Sequence, residues 1–231
     1  ALSVPAPLSC KAEIASIRTL CANMVELTLL PQANMPFLAG QFVIVKTNDG
    51  VRRAYSMSNV DPDGGQLSII VKHKHDGALS PRLCGELEPG DTLMVEGPYG
   101  TAYLREDSDR PVIAVAGGSG LGPMWSIVQR AVALGREVHL YFGVNTTSEA
   151  CFAEELASIA SRARAHLVVK DGSHGGARVG LVGDAVLADF SEMDQADVYM
   201  AGPPGMIDAV MHQFLAEVKV DCDRIFFDRF C

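Results

Sequence analysis

The sequence predicts an antiparallel β-barrel followed by an α/β domain with a parallel sheet. Three observations support this fold class. Up to about residue 97, short apolar runs alternate with turn-forming residues, which is typical of a small antiparallel barrel. From residue 110, strand patterns alternate with helix patterns, which indicates a parallel sheet covered by helices. A polar segment at 106–109 separates the two patterns, so we predict domains at 10–108 and 109–231.

The predicted barrel follows a proline-bearing segment, residues 1–9, which we interpret as a linker or tail. Its clearest strands are predicted at 24–30, 41–46 and 67–72. Glycine, proline, asparagine and aspartate cluster between the strands, so turns are predicted at 48–50, 61–65 and 88–91. One short helix, at 79–87, is expected to interrupt the strands.

The predicted second domain opens with a continuous apolar strand at 112–116, a glycine turn and a helix at 123–134. Further strands are predicted at 138–144, 166–170, 198–201 and 225–227. Further helices are predicted at 151–163, after residue 183, and at 204–218. Ligands of such sheets bind at the carboxyl ends of the strands, so we expect the functional loops there.

Composition and charge limit the kind of partner that the chain can have. Its 231 residues carry a formal net charge of -9, which argues against nucleic acid because phosphate binding needs a basic surface. A local basic group near Arg52 and Arg53 leaves a smaller anion site open. The longest apolar runs are strand-length, and no secretory signal is recognisable, so we expect a cytoplasmic protein without a membrane span.

Six cysteines are scattered at positions 10, 21, 84, 151, 222 and 231. No pair has the close spacing of a zinc or iron–sulfur site, so we expect no metal and no iron–sulfur cluster in this chain. Cysteines without such spacing, in a chain without a recognisable secretory signal, are expected to be reduced thiols.

The tetrapeptide Arg53-Ala54-Tyr55-Ser56 is the first candidate site. On an extended segment, alternation places Arg53 and Tyr55 on one face and Ala54 and Ser56 on the other. A flavin needs an aromatic wall, a donor near N5 and a cation for its phosphate, and these residues could supply all three. The competing interpretation is a half-buried edge strand with an exposed arginine, which four residues alone would favour.

Two short segments add weight to the flavin interpretation. Gly77 permits a tight turn, after which the N–H groups of Ala78, Leu79 and Ser80 would face an anion at a helix start. The alternative is an ordinary N-cap, with Asp76 or Ser80 as the capping residue. The second segment, at 97–100, could border the ligand or could be only a turn.

Two glycine-containing loops in the second half predict a nucleotide site. Residues 117–123 lie between a strand and a helix, but they lack the strict dinucleotide spacing with an acid about twenty residues on. Glu137, the nearest acid, precedes a strand, so a simple dehydrogenase is disfavoured. Residues 202–206 follow another strand, and their alternative interpretation is a loop with proline at the first position of a helix.

Together these segments resemble the ferredoxin–NADP reductase superfamily, in particular the reductase components of bacterial aromatic-ring oxygenases. The resemblance covers residues 11–230 and includes an aromatic residue near the end, Phe230. It implies a Greek-key flavin-binding barrel followed by an NAD(P)-binding domain. It also implies that a hydride passes from NADH to N5 of FAD. Single electrons would then pass to a [2Fe–2S] ferredoxin that feeds a terminal oxygenase.

The resemblance also implies roles for residues of the first half. Arg53 is expected at the flavin phosphate, Tyr55 on the isoalloxazine and Ser56 near N5, so Tyr55 and Ser56 are the predicted catalytic residues. The other predicted cofactor-binding residues there are Ala54, Val71, Lys72, Gly77, Ala78, Leu79 and Ser80. Phe230 is expected to cover the opposite flavin face, unless it belongs to the core with Phe226 and Phe227. FAD is expected rather than FMN because most relatives use FAD.

In the second half, the resemblance implies a pyridine nucleotide along both glycine loops. The predicted contacts there are Gly118, Ser119, Gly120, Gly202, Pro203 and Pro204. Asn145 stands where relatives often have arginine, and Ala201 where they often have cysteine. Asp171 could accept from a ribose hydroxyl and repel a 2′-phosphate, which favours NADH over NADPH, although it could also be only a turn residue. Lys170 and Arg178 argue in the opposite direction.

The electron acceptor stays open at this stage. Ferredoxin domains of relatives need a C-x₄-C-x₂-C run, which this sequence lacks. Residues 1–9 resemble the linker that follows such a domain, so the acceptor could be fused in a longer protein or could be separate. Two alternatives are a reductase of free flavin or small acceptors, and a flavin-binding docking subunit with little turnover of its own.

Overall fold

The computed structural model describes residues 3–172 and 175–230. Its first half is a six-stranded antiparallel sheet with the order β4-β3-β6-β1-β2-β5. The strands are β1 (Leu8–Cys21), β2 (Met24–Pro31), β3 (Phe42–Lys46), β4 (Arg52–Ser56), β5 (Leu67–Lys72) and β6 (Thr92–Tyr99). A bridge between Met57 and Ile69 joins the two edges of the sheet. The predicted barrel is therefore confirmed.

Side-chain alternation explains how the barrel forms its core. In β3, Val43 and Val45 are fully buried, whereas Phe42 and Ile44 are only half-buried on the other face. The same rule buries Ala12 and Ile14 of β1. Phe42 is thereby left free to line a cavity outside the barrel.

The predicted boundaries in the first half need two corrections. β1 begins at Leu8 and pairs Leu8 and Ser9 with β6, so these two residues belong to the sheet and not to a linker or tail. The short helix α1 covers Ser80–Gly85 and is shorter than the predicted 79–87.

The second half is a six-stranded parallel sheet with the order β10-β9-β8-β7-β11-β12. Its strands are β7 (Val112–Gly117), β8 (Val138–Thr146), β9 (Arg164–Asp171), β10 (Arg178–Val179), β11 (Asp197–Gly202) and β12 (Ile225–Arg229). Its helices are α2 (Leu121–Ala133), α3 (Ala153–Ile159), α4 (Val182–Asp189) and α5 (Pro204–Glu217). The two-residue strand β10 was not predicted, and α3 is shorter than the predicted 151–163.

The strand order reverses between β7 and β11, and this reversal locates the candidate site. Strands β8, β9 and β10 extend the sheet to one side of β7, whereas β11 and β12 extend it to the other. Every residue of β7 and β11 is buried, as expected where helices cover both faces. Ligands bind at the carboxyl ends of strands next to such a reversal, which here are Gly117 and Gly202.

Helix α2 packs between the two sheets. Its residues Leu121 and Met124 share a hydrophobic cluster with Met24 and Ile70 of the barrel. Polar bonds cross the same boundary, because the Ser126 hydroxyl donates to the backbone oxygen of Asn59 at 2.7 Å. The predicted division at 108/109 falls in the segment between β6 and β7 and stays a prediction. Among the described residues, none of the helices has the length and apolar character needed to span a bilayer.

Candidate functional site: two adjoining cavities

The first cavity lies between the start of α1, strand β4 and the end of β12, and it measures about 390 Å³. The predicted residues that line it are Arg53, Ala54, Tyr55, Ser56, Lys72, Gly77, Ala78, Leu79, Ser80, Ser119 and Phe230. These eleven residues come from five separate segments of the sequence and meet at one place. Its width and mixed lining are suited to a flat aromatic ligand with an anionic tail.

Strand β4 supplies a cation and an aromatic ring to this cavity. The Arg53 guanidinium is exposed and donates to the Arg52 carbonyl oxygen at 2.7 Å. In the part of the chain that the structure describes, Arg53 has no carboxylate partner, whereas Arg52 approaches Glu96 at 3.5 Å. Burial raises the pKa of the Tyr55 phenol to about 12, so Tyr55 stays a neutral ring at physiological pH. Ser56 is buried at the end of the strand.

The start of α1 forms another wall of the cavity. The N-cap residue is Leu79, and no side chain caps the helix, so the alternative of an Asp76 or Ser80 cap is wrong. The Ser80 hydroxyl instead accepts from the Lys74 backbone N–H at 3.0 Å. A Cβ at Gly77 would lie 2.5 Å from Ser80 Oγ, which explains why glycine occupies this turn.

The C-terminal strand β12 brings two further groups to the first cavity. Phe226 stacks on Tyr199 at 5.1 Å and Phe227 packs in the core, but Phe230 lines the cavity. Asp228 also lines it, and burial raises the pKa of this carboxyl. Asp228 was not among the predicted site residues, although alternation along β12 places it on the same face as Phe230.

The second cavity, about 280 Å³, lies at the carboxyl ends of the parallel strands. Four predicted residues line it, namely Lys72, Gly118, Asn145 and Pro203. Lys72 lines both cavities, so they adjoin at this side chain. Lys170 and Glu149 also line the second cavity. Glu149 was missed because nothing in its local sequence marks it.

The loop after β7 separates the two cavities. Gly118 faces the second cavity and Ser119 the first. Gly118 has a φ of +55°, which favours glycine, and Gly120 has no room for a side chain because its Cβ would lie 2.1 Å from the Ala201 carbonyl oxygen. The loop can therefore present backbone N–H groups closely to a ligand.

Five predicted site residues line neither cavity. Val71 is fully buried in the barrel core, and Gly120 is buried against Ala201. The Gly202 carbonyl oxygen accepts from the Phe230 N–H, and Pro204 opens α5, as the alternative interpretation of that loop predicted. The fifth, Asp171, is exposed at the end of β9, directly after the cavity residue Lys170.

Lys170 and Arg178 are two cations that could attract a 2′-phosphate and so oppose the effect of Asp171. The structure places these two side chains in different surroundings. Arg178 points to Asp189, with an N–O distance of 2.8 Å, and lines a different depression. Lys170 is exposed and lines the second cavity. Of these two cations, only Lys170 therefore lies where it could meet a nucleotide phosphate.

An ion pair crosses from the barrel to the second domain at the shared side chain. Lys72 Nζ lies 2.6 Å from Glu149 Oε1, and the amide of Asn23 donates to the same oxygen at 3.1 Å. The other carboxylate oxygen accepts from the backbone N–H of Asn145 at 3.1 Å. Burial opposes ionisation, but these three partners lower the pKa of Glu149, so it is an anion at neutral pH.

Comparison with known proteins agrees with this arrangement. Residues 11–103 match the family described as oxidoreductase FAD-binding domain, and residues 114–212 match the oxidoreductase NAD-binding domain. The chain is 41% identical to the ferredoxin–NAD(+) reductase component of the alkene monooxygenase system of Xanthobacter autotrophicus, over 100% of this chain and 72% of the relative. The chain belongs to the ferredoxin–NADP reductase superfamily. It is an oxidoreductase with an FAD-binding and an NAD-binding domain, as the motifs predicted.

Other members of the superfamily show how widely the fold is shared. An NAD(P)H-flavin reductase of Aliivibrio fischeri is 29% identical over 97% of this chain and 98% of its own length. The ferredoxin reductase of a carbazole 1,9a-dioxygenase superposes with a TM-score of 0.93 and 26% identity, covering 100% of this chain and 71% of that one. The two-domain fold class predicted from the sequence is therefore confirmed.

Proposed function

We propose that the first cavity binds FAD, the second binds NADH, and the protein passes electrons to a [2Fe–2S] ferredoxin. One observation carries the proposal: the two cavities share Lys72 and are separated by the loop at 117–120. When bound, the flavin accepts a hydride from the reduced nicotinamide and releases electrons one at a time. The protein has to hold the two ligands in contact and exclude water between them.

The residues of the first cavity fit a flavin nucleotide. Arg53, which has no carboxylate partner among the residues that the structure describes, would bind the phosphate, and the N–H groups of Ala78 and Leu79 would support it. Tyr55 would stack on one ring face, with Ser56 as a hydrogen-bond donor at its edge. Phe230 lies on the same cavity and would cover the ring from the C-terminal side.

The residues of the second cavity fit a pyridine nucleotide. Lys72 and the Gly118 N–H would meet its phosphates, and Asn145 and Pro203 would line its path. We infer NADH rather than NADPH because Asp171 is an exposed acidic residue directly after the cavity residue Lys170, and Arg178 is engaged by Asp189. Of Lys170 and Arg178, only Lys170 then remains to bind a 2′-phosphate.

The acceptor is inferred from the relatives. The Xanthobacter autotrophicus protein is named as a ferredoxin reductase component of an alkene monooxygenase system. We infer a ferredoxin partner, fused or separate, and a terminal oxygenase whose substrate need not be aromatic. The five cysteines in the described residues are free, which suits the reducing cytoplasm.

Anaerobic absorption spectroscopy tests the proposal directly. The protein is loaded with FAD, and its visible spectrum is followed after one equivalent of NADH and then, separately, of NADPH. We expect NADH to bleach the visible absorption band of the bound flavin rapidly and NADPH to bleach it more slowly. Absence of any FAD binding in an equilibrium titration of the apoprotein would contradict the assignment of the first cavity.

The Aliivibrio fischeri relative favours a second candidate, a reductase of free flavin. The two functions differ in how tightly the first cavity holds its ligand. Turnover of added free flavin that matches turnover of a [2Fe–2S] ferredoxin would favour this second candidate. A flavin that NADH does not bleach would favour the third, a docking subunit with little turnover.

A further inference from the structure

The second cavity, which is proposed to bind the negatively charged diphosphate of a nucleotide, is itself lined by a carboxylate. Its lining includes two cationic side chains, Lys72 and Lys170, and one acidic side chain, Glu149. Lys72 is already bound to Glu149 at 2.6 Å. A nucleotide diphosphate carries negative charge that needs the same ammonium group, so the carboxylate and the ligand compete for one cation.

Glu149 is held in this position from both domains. Asn23, in the turn between β1 and β2, donates to one carboxylate oxygen, and the Asn145 N–H donates to the other. The segment that follows is anchored as well, because Arg18 lies over the Phe152 ring and binds Glu155. The carboxylate therefore stays beside Lys72 and cannot simply swing into solvent.

The competition for Lys72 would take place beside the glycine loop at 117–120. A Cβ built on Gly118 would lie 3.7 Å from Lys72 Nζ, so the ammonium group sits directly beside the glycine loop. Any phosphate that approaches the loop meets the Lys72 ammonium and the Glu149 carboxylate together. The partly exposed pair can exchange partners, since the Lys72 side chain is 28% exposed.

We propose that Glu149 is a built-in competitor for Lys72 that weakens binding of the pyridine nucleotide. This inference rests on the proposed function, because it assumes that the second cavity takes a nucleotide diphosphate. Its consequence is a site that releases its nucleotide readily, at the cost of affinity. A residue that merely positioned Lys72 would have the opposite effect, since its loss would weaken binding.

The test measures binding of ADP-ribose, which carries the diphosphate but no nicotinamide and so undergoes no reaction. Titration calorimetry on the FAD-loaded protein compares wild type with Glu149→Gln, which keeps the size of the side chain and removes its charge. We expect ADP-ribose to bind about 1.5- to 5-fold more tightly, the range for a partly exposed charge pair. In a Lys72→Gln background the same change should give a smaller gain.

Glu155→Gln is the matched control, because Glu155 also bridges the domains through Arg18 but lines neither cavity. Its ADP-ribose affinity should equal that of wild type. Glu149→Ala provides a second variant, since it removes the carboxylate altogether. It should also tighten binding, and it carries the test where Glu149→Gln does not fold.

The possible outcomes separate this inference from the proposed function. Wild-type protein that binds ADP-ribose, together with unchanged or weaker binding by Glu149→Gln, would overturn the inference alone. Folded, FAD-loaded wild type that binds no ADP-ribose would overturn the nucleotide assignment of the second cavity and the inference with it. Tighter binding by Glu149→Gln, with no change in Glu155→Gln, would support both.

Discussion

The backbone N–H of Phe230 donates to the carbonyl oxygen of Gly202 at 2.8 Å. This bond joins the aromatic residue of the first cavity to the loop that opens α5 beside the second. β12 pairs with β11 in parallel register up to Gly202 and Arg229, so the bond continues the sheet by one step. The positions of Phe230 and of the second glycine loop are therefore set by the same strand pair.

Loss of the Arg53 charge should weaken FAD binding. We expect Arg53→Ala to raise the FAD dissociation constant about 10- to 100-fold, as for a lost charge-assisted hydrogen bond. Fluorescence quenching of FAD on titration with apoprotein would measure it. Arg52→Ala, which removes an exposed neighbour paired with Glu96, should change the constant far less. Equal effects of the two variants would contradict the role of Arg53.

A side chain at Gly120 should destabilise the fold. Its Cβ would lie 2.1 Å from the Ala201 backbone oxygen, so the loop after β7 or strand β11 must shift. We expect Gly120→Ala to lower the free energy of unfolding by about 1–3 kcal/mol, as for other overpacked sites. Urea denaturation measures this. Gly85→Ala, with no heavy atom near its Cβ, is the control and should be neutral or slightly stabilising.

Asp228 should make the stability of the flavin-free protein depend on pH. Burial raises its pKa in the folded state, so the folded protein holds a proton that the unfolded chain has already lost. Stability therefore falls as pH rises from the unfolded pKa through the folded one. Asp228→Asn should be more stable than wild type at pH 7, and this difference should disappear at acidic pH.

Thermal melts of the two proteins between pH 4 and pH 7 would check this prediction. A difference for Asp228→Asn that grows on acidification would have the wrong sign and would contradict the argument.

The buried ion pair Arg136–Asp197 should be the costliest to break. Their side chains are 4% and 0% exposed and lie 2.8 Å apart. Replacing Arg136 with Met leaves the buried Asp197 carboxylate with a more distant charged partner, Arg224 at 3.6 Å, and should cost up to about 3–5 kcal/mol. Lys219→Met removes an exposed partner of Asp194 and should destabilise the protein far less, because solvent screens an exposed ion pair. Chemical denaturation of both variants provides the comparison.

Asp171 should determine which nucleotide is preferred. Asp171→Ser removes the negative charge near the expected position of a 2′-phosphate, so kcat/KM for NADPH should rise relative to NADH by about 10-fold. Steady-state reduction of ferricyanide with each nucleotide measures the ratio. A ratio that does not change would indicate that Asp171 is only a turn residue.

Local patterns predicted most of the fold. Short apolar runs between turns identified the barrel strands β2, β3 and β5, and continuous apolar runs identified β7 and β11, because these features depend on neighbours in sequence. The ends of α1 and α3 and the two-residue β10 were predicted less well. Their limits depend on tertiary packing, which leaves no periodic signal in such short segments.

The candidate site was predicted unevenly, for a physical reason. Arg53–Ser56 and the glycine loops are compact motifs, whose chemistry can be seen in a few adjacent residues. Glu149 and Asp228 acquire their roles only when distant strands meet, through Lys72 in one case and through burial beside Phe230 in the other. These contacts between distant strands cannot be predicted from a single sequence.

Helix α2 has a practical consequence for anyone who exchanges the halves of this protein with those of a relative. Ser126 and Gln129 bond to backbone oxygens of the barrel, and Leu121 and Met124 pack on it. A chimera joined at the segment between the two sheets would keep the fold of each half. However, the α2 side chains of one protein would then face the barrel surface of the other. Grafting should therefore transfer the barrel together with the α2 side chains that touch it, as a single complementary surface.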